Sequence, residues 1–221
     1  MEAIFGYGSL VFPPSAAARL DDALKQKLDD LREKEEHGDM REIYLSDQAL
    51  QSWKESSINF IPAKINGLER SYSFEVYEEG NMLAAEEADE EKWINGVIIF
   101  PLDGEEFEKI SETEGGYDVL IKDREEIETY ISEEKLAEEG IELPKEVKVF
   151  VSSGEHTNKH TDKKKLEPYH RYISKGAEVL AERWFKTEDK QEEFKEKFMQ
   201  DFRKTTLEIN ENGEWIKLSE K

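Results

Sequence analysis

Glu2-Ala3-Ile4-Phe5-Gly6-Tyr7-Gly8-Ser9-Leu10 is the stretch from which the fold is read. Ala3, Ile4 and Phe5 suit a buried strand. Gly6 and Gly8 follow at once, and glycine permits backbone conformations and close approaches that a side chain forbids. The run predicts a short first strand entering a tight loop. Consecutive backbone N–H groups of such a loop can be aimed at an anion or a developing oxyanion. A plain turn after a first strand has the same composition, so the run settles little alone. A dinucleotide fingerprint is excluded, because its third glycine would fall at Val11.

A second stretch, Ile110-Ser111-Glu112-Thr113-Glu114-Gly115-Gly116-Tyr117-Asp118, closes a helix. That helix starts at Asp103-Gly104-Glu105-Glu106, which has the form of a capping box: Asp103 accepts from the N–H near Glu106, and Glu106 reaches back. Phe107 and Ile110 supply its apolar stripe. Gly115 and Gly116 end it, since glycine takes the left-handed conformation that terminates helices. Glu114 therefore falls at or near the helix C-terminus. There the negative end of the dipole disfavours a carboxylate by a few tenths to about 1 kcal/mol. The expectation is a strengthened base, matched to proton transfer near neutral pH.

Taken together and in this order, Tyr7-Gly8-Ser9-Leu10 and Glu114-Gly115-Gly116-Tyr117 resemble the gamma-glutamylcyclotransferase-like superfamily. Further pieces are similar to it. Ala63-Lys64-Ile65-Asn66-Gly67-Leu68-Glu69-Arg70 looks like its segment with Gly and Arg before a strand. Asn95-Gly96-Val97-Ile98-Ile99-Phe100 looks like its strand of Asn-Gly-Val followed by hydrophobic residues. Pro168, Tyr172 and Gly176-Ala177 look like its late helix. The fold expected is a single α+β domain over 1–221, with a small mixed, mostly antiparallel β-barrel-like sheet and packed helices. A charged insertion is expected at about 20–60, and a helical C-terminal part over 165–204.

The resemblance implies a gamma-glutamylcyclotransferase. Such an enzyme cyclises a gamma-glutamyl compound to 5-oxoproline and releases an amine or amino acid. It implies Glu114 as general acid and base, with substrate binding by the loop Tyr7, Gly8, Ser9 and Leu10. Tyr117 and Tyr172 would donate to the substrate or serve as core tyrosines with satisfied hydroxyls. Arg70 would pair with a carboxylate of the substrate or, more in keeping with an acidic protein, of the chain itself. Glu112 is the rival base; it would fall on the helix proper. No cofactor and no metal are implied. Many members of the superfamily look as if they carry Arg two residues after the tyrosine, where this chain has Val119, which bears on the substrate tail. The alternatives are a non-catalytic, pocket-bearing binding protein of the same fold, or another amide-transfer or hydrolytic step on a gamma-glutamyl conjugate.

Composition sets outer bounds. The 221 residues hold 53 Asp and Glu against 31 Lys and Arg, a formal net charge of −22. Such a surface repels nucleic acid and anionic membranes, so neither is expected as a partner. It suits a protein kept dispersed in a high-salt cytoplasm, or an ordinary acidic cytosolic protein. The absence of cysteine excludes disulfides, thiolate metal sites and cysteine nucleophiles, and fits a reducing compartment. With no apolar run near the ~20 residues of a bilayer span, and no secretory pattern, a cytoplasmic protein is expected.

Along the remaining chain, Ser15 is placed to cap a helix through 16–36, with Leu20, Leu24, Leu28 and Leu31 on one face. Residues 40–53 read equally as helix or as strand and turn. Tyr72, Phe74 and Val76 alternate as in a half-buried strand, with a return strand at 82–85. Residues 93–101 form the most apolar run and predict a central strand. Short strands are expected at 119–121, 127–131 and 147–151. Phe194, Phe198 and Phe202 recur every fourth residue as a core stripe of a late helix, and 215–218 predicts an edge strand. His156 and His160 have helical metal-ligand spacing, yet their polar setting reads as a solvated loop.

Overall fold

The structure, a computed structural model, describes residues 2–34, 37–76, 80–152, 167–210 and 214–220. The chain opens with β1 (Glu2–Gly6), a 3-10 turn (Ser9–Val11) and four helices: α1 (Pro13–Leu20), α2 (Asp22–Glu33), α3 (His37–Tyr44) and α4 (Asp47–Glu55). Then come β2 (Asn59–Asn66), β3 (Leu68–Val76), β4 (Gly80–Glu87), β5 (Trp93–Leu102), α5 (Gly104–Thr113), β6 (Tyr117–Asp123) and β7 (Ile127–Thr129). The chain continues through α6 (Glu133–Glu138), β8 (Glu146–Ser152), α7 (Glu167–Trp184), α8 (Glu188–Thr205), β9 (Thr206–Ile209) and β10 (Trp215–Lys217). His156 and His160 lie outside the described residues.

The architecture is α+β, and its strands form two sheets rather than one barrel. The larger has the order β6-β8-β1-β5-β2-β7, the smaller β10-β9-β3-β4. Among the described residues neither closes on itself. Pairing is mostly antiparallel, with parallel pairs β1–β8 and β3–β9. As its apolar run predicts, β5 is central, flanked by β1 and β2. Ile94, Val97, Ile98, Ile99 and Phe100 are buried on both of its faces, which is why its sequence shows no alternation. The sheets are stitched by Tyr7. Its hydroxyl donates to the Phe150 carbonyl of β8 at 2.6 Å and accepts from the Ala85 N–H of β4 at 3.2 Å.

α8 covers β5. Phe194, Phe198 and Phe202 are all buried, each burial contributing about 1.5–3 kcal/mol. Asn95 on β5 donates to the Phe198 carbonyl at 2.8 Å, satisfying a buried amide that would otherwise be costly. The strand β9 that follows α8 carries no alternation strong enough to foretell it. α7 lies flush against the turn after β1, because a Cβ at Gly176 would stand 2.5 Å from the Val11 carbonyl oxygen.

The region from 13 to 55 departs from expectation in its details. Ser15 lies inside α1 and does not cap it. The helix begins at Pro13, where proline suits the first turn. The single helix expected through 16–36 is broken at Asp21. Its carboxylate accepts from the N–H groups of Ala23 and Leu24 at 3.0 and 3.1 Å and so starts α2. An aspartate able to cap competes with helix continuation, and here the cap wins. Residues 40–53 fall in two helices, α3 and α4, the second capped by Ser46.

Candidate active site

The site is built where β1, α1 and the end of α5 meet. β1 ends at Gly6, where an added Cβ would collide with Leu10, so the chain can curl tightly into the 3-10 turn. Ser9 and Leu10 sit in the first turn of that segment, where N–H groups lack intrahelical acceptors. Ser9 and Leu10 are buried. α1 then carries Ser15 and Arg19 one helical turn apart, on one face. α5 is held at its start by the expected capping box, with Asp103 accepting from Glu106 N–H at 2.8 Å and Glu106 from Asp103 N–H at 2.9 Å. It ends on Glu114 as its C-cap.

Arg19 joins these pieces. Its side chain is only 4% exposed and that of Glu114 17%. One guanidinium nitrogen, Nη2, donates to Ser9 Oγ at 2.8 Å and to Glu114 Oε1 at 3.1 Å. Nη1 donates to the Ser15 hydroxyl at 2.7 Å and the Ser15 carbonyl at 2.9 Å. Nε donates to Thr113 Oγ1 at 2.8 Å. The five N–H groups of a guanidinium thus meet five protein acceptors. The ring of Tyr44 from α3 lies 4.6 Å from the guanidinium carbon, a cation–π contact. Tyr44 in turn meets Tyr172 edge to face at 6.0 Å, and Tyr172 stacks on Phe12 at 6.4 Å.

Charge on this cluster reaches its neighbours. Burial pushes the Tyr7 hydroxyl well above the usual phenol range, and the negative charge of Glu114 adds to the effect. Burial likewise pushes Tyr44 up, against the pull of Arg19 and with the push of Glu114.

Of the residues singled out in the sequence, Ser9 and Glu114 are brought together on one guanidinium. Gly8 and Leu10 flank Ser9 in the loop. The tyrosine hydroxyls each donate to a backbone carbonyl: Tyr7 to Phe150, Tyr117 to Leu83 at 2.9 Å and Tyr172 to Arg41 at 2.8 Å. Glu112 turns to the other side. Its side chain is 66% exposed and bonds Lys25 of α2 at 2.9 Å. Val119 is exposed.

Arg70 is the clearest correction. It is fully buried, yet among the described residues it faces no carboxylate. It donates instead to the carbonyl and side-chain oxygens of Asn95 at 2.7 and 2.9 Å and to the hydroxyls of Thr206 and Thr205 at 2.9 and 3.1 Å. Burial lowers its affinity for the proton to about 9, against a partial upward pull from nearby tyrosines. It ties the two sheets and α8 together.

Sequence reasoning missed Arg19. A signal was present: from Val11 to Leu20 it is the one charged residue in an otherwise apolar or small run. A lone charge inside a segment of core composition is seldom fully buried without a partner.

The fold and the site define an α+β protein in which a buried guanidinium holds a half-buried carboxylate against a glycine loop. Neither a protein-family model nor a curated protein sequence matches the chain. Among solved structures, it is similar to the uncharacterized human protein loc79017, at 14% identity over 88% of this chain and 86% of that one, with a TM-score of 0.43. It is similar to a gamma-glutamyl cyclotransferase at 12% identity, covering 88% and 86% of the two chains, with a TM-score of 0.42. It is similar also to YkqA from Bacillus subtilis, at 15% identity over 90% of this chain and 54% of that one, with a TM-score of 0.43. Likenesses at this level assign no residue role and no activity.

Proposed function

We propose that this protein is a gamma-glutamylcyclotransferase. The observation that carries the reading is the meeting of Glu114 with Ser9 of the glycine loop through Arg19. The two motifs that resemble the superfamily are about half a chain apart in sequence, and in space they share one cation.

The chemistry follows from these groups. An α-amino group has a pKa near 8 and is mostly protonated at neutral pH, so it needs a base before it can attack. Glu114 takes one proton from the ammonium of a gamma-glutamyl compound. The freed nitrogen lone pair attacks the substrate's own γ-carbonyl carbon, and the C=O π pair moves onto oxygen. The attack is intramolecular, so holding the substrate folded supplies much of the rate. The loop N–H groups from Tyr7 to Leu10 receive the oxyanion, each such donor worth about 3 kcal/mol in related acyl chemistry. When the oxyanion collapses, the γ-carbon–nitrogen bond breaks and Glu114 returns its proton to the leaving nitrogen. The ring nitrogen gives up two protons in all. Glu114 carries each in turn to the leaving amine, which departs as an ammonium ion, so charge is conserved. Tyr117 and Tyr172, whose hydroxyls donate to backbone carbonyls, take the structural of their two expected roles. The natural setting is the cytoplasm, and the −22 charge suits one rich in salt.

The test is an assay of 5-oxoproline with glutathione, gamma-glutamyl dipeptides and gamma-glutamyl amines, repeated on Glu114→Gln. Product from none of them would leave the second reading, a non-catalytic binder. One observation favours that reading: Glu114 already has an ion-pair partner, as a purely structural carboxylate would.

A further inference from the structure

We infer that Arg19 is the positioning residue of this site: its guanidinium clamps Glu114 through Oε1 and Ser9 through Oγ, and leaves Glu114 Oε2 as the oxygen that carries the proton. The inference deepens the cyclotransferase reading and rests on it for the proton's path.

Three features separate Arg19 from a substrate-binding arginine. First, its donors are filled. Thr113, Ser15, Ser9 and Glu114 between them accept from Nε, Nη1 and Nη2, so an incoming carboxylate would have to break a buried bond. Second, it is closed in by α1, α5 and the Tyr44 ring. Third, its geometry is divergent. The Nη2 edge turns to the loop and the acid, while Nη1 and Nε tie it to α1 and to the last turn of α5. A planar fork of this kind fixes direction as well as distance, which an ammonium on a flexible stem does not. The clamp reaches both halves of the proposed chemistry, since Ser9 belongs to the oxyanion cradle and Glu114 is the base.

The clamp also names the working oxygen. With Oε1 accepting from Arg19, the ammonium N–H of the substrate meets Oε2. The proton sits on Oε2 during ring closure and leaves from Oε2 to the departing nitrogen. Arg19 stays protonated throughout and moves no proton itself.

The experiment uses the whole 221-residue chain. Arg19→Lys keeps the charge and loses the fork. With the gamma-glutamyl substrate that the wild type turns over, its kcat should fall by about 10²-fold, the cost of a small misplacement, while KM stays within about threefold. In Arg19→Ala, methylguanidinium at about 10 mM should restore kcat on the order of tenfold by refilling the fork. Equal loss in kcat and KM with no rescue would overturn the proposal, and so would an unchanged kcat in Arg19→Lys. A second arm needs no activity. Thermal melting of Arg19→Met, Glu114→Gln and the double variant should show a combined loss smaller than the sum by about 2–6 °C, the mark of coupled partners. Strict additivity would overturn the clamp. A wild type that forms no 5-oxoproline removes the reaction and the Oε2 assignment, and the clamp then stands or falls on the melting cycle.

Discussion

Arg19 and Arg70 are both buried guanidiniums, and they stand in opposite kinds of surroundings. Arg70 lies where the two sheets and α8 meet. All its acceptors are neutral carbonyls, hydroxyls and one amide oxygen. Arg19 lies at a junction of helices and a loop, and one of its acceptors is a carboxylate with 17% of its side chain still open to solvent. A guanidinium met only by neutral protein oxygens has nothing to exchange with a substrate. Its work is to satisfy backbone groups where sheets and helix join. A guanidinium that shares a partly open carboxylate holds a group still capable of reaction. Burial is thus common to both arginines; the chemistry and exposure of their acceptors are what differ.

Four measurements would sharpen or break that contrast. The largest effect is expected for Glu114→Gln. Its rate of 5-oxoproline formation should drop by about 10²–10⁴-fold, the contribution of a positioned base. Undiminished turnover would make the Arg19 site as structural as the Arg70 site. Next is Arg70→Met, which leaves the Asn95 and Thr206 oxygens without donors. A loss of about 3 kcal/mol or more in denaturant unfolding is expected. A variant as stable as the wild type would mean that Arg70 is not what joins the sheets.

A smaller loss, about 1 kcal/mol, is expected for Asp21→Ala, which removes the cap that divides α1 from α2. This loss should depend on pH. Burial works to raise the Asp21 carboxyl, but the hydrogen bonds from Ser52, Leu24, Ala23 and Gln48 prevail and hold it below its ordinary value. A carboxylate depressed in the folded state contributes stability above its unfolded value, near 3.9, and loses it as pH falls through the folded value. The gap between wild type and variant should thus be full at pH 7 and close below about pH 4. A gap that is constant over this range would remove Asp21's charge from the cap. The smallest effect belongs to Glu112→Gln. In its pair with Lys25 the Glu112 side chain itself is mostly exposed, so stability should shift by less than about 1 kcal/mol and turnover should hold. Loss of turnover here would move the base from Glu114 to Glu112.

The readings that held were those in which residues a few positions apart decide the outcome. Asp103 and Glu106 form their capping box because each reaches the other's backbone within one turn. The Phe194, Phe198 and Phe202 stripe is buried because a four-residue recurrence keeps one face of a helix apolar. Misreadings clustered where local rules compete. Asp21 sits in the middle of a helical pattern with an apolar stripe, and its own side chain ends one helix and starts the next. Arg70, on so acidic a chain, reads as half of a salt bridge. The strand order instead sets it among carbonyls and hydroxyls.

Periodicity, caps and glycine breaks were written along the chain, since they depend on interactions within a turn or between alternate residues. They placed the loop at Tyr7–Leu10 and put Glu114 at a helix end. The partner of Glu114 could not be read that way. Arg19 lies 95 residues from it, and their pairing requires α1 to cross the end of α5 while β1 delivers Ser9 to the same point. A buried charge takes whichever acceptor the packing brings within about 3 Å. That choice belongs to the folded whole, because only packing across the whole chain decides which distant groups leave water together.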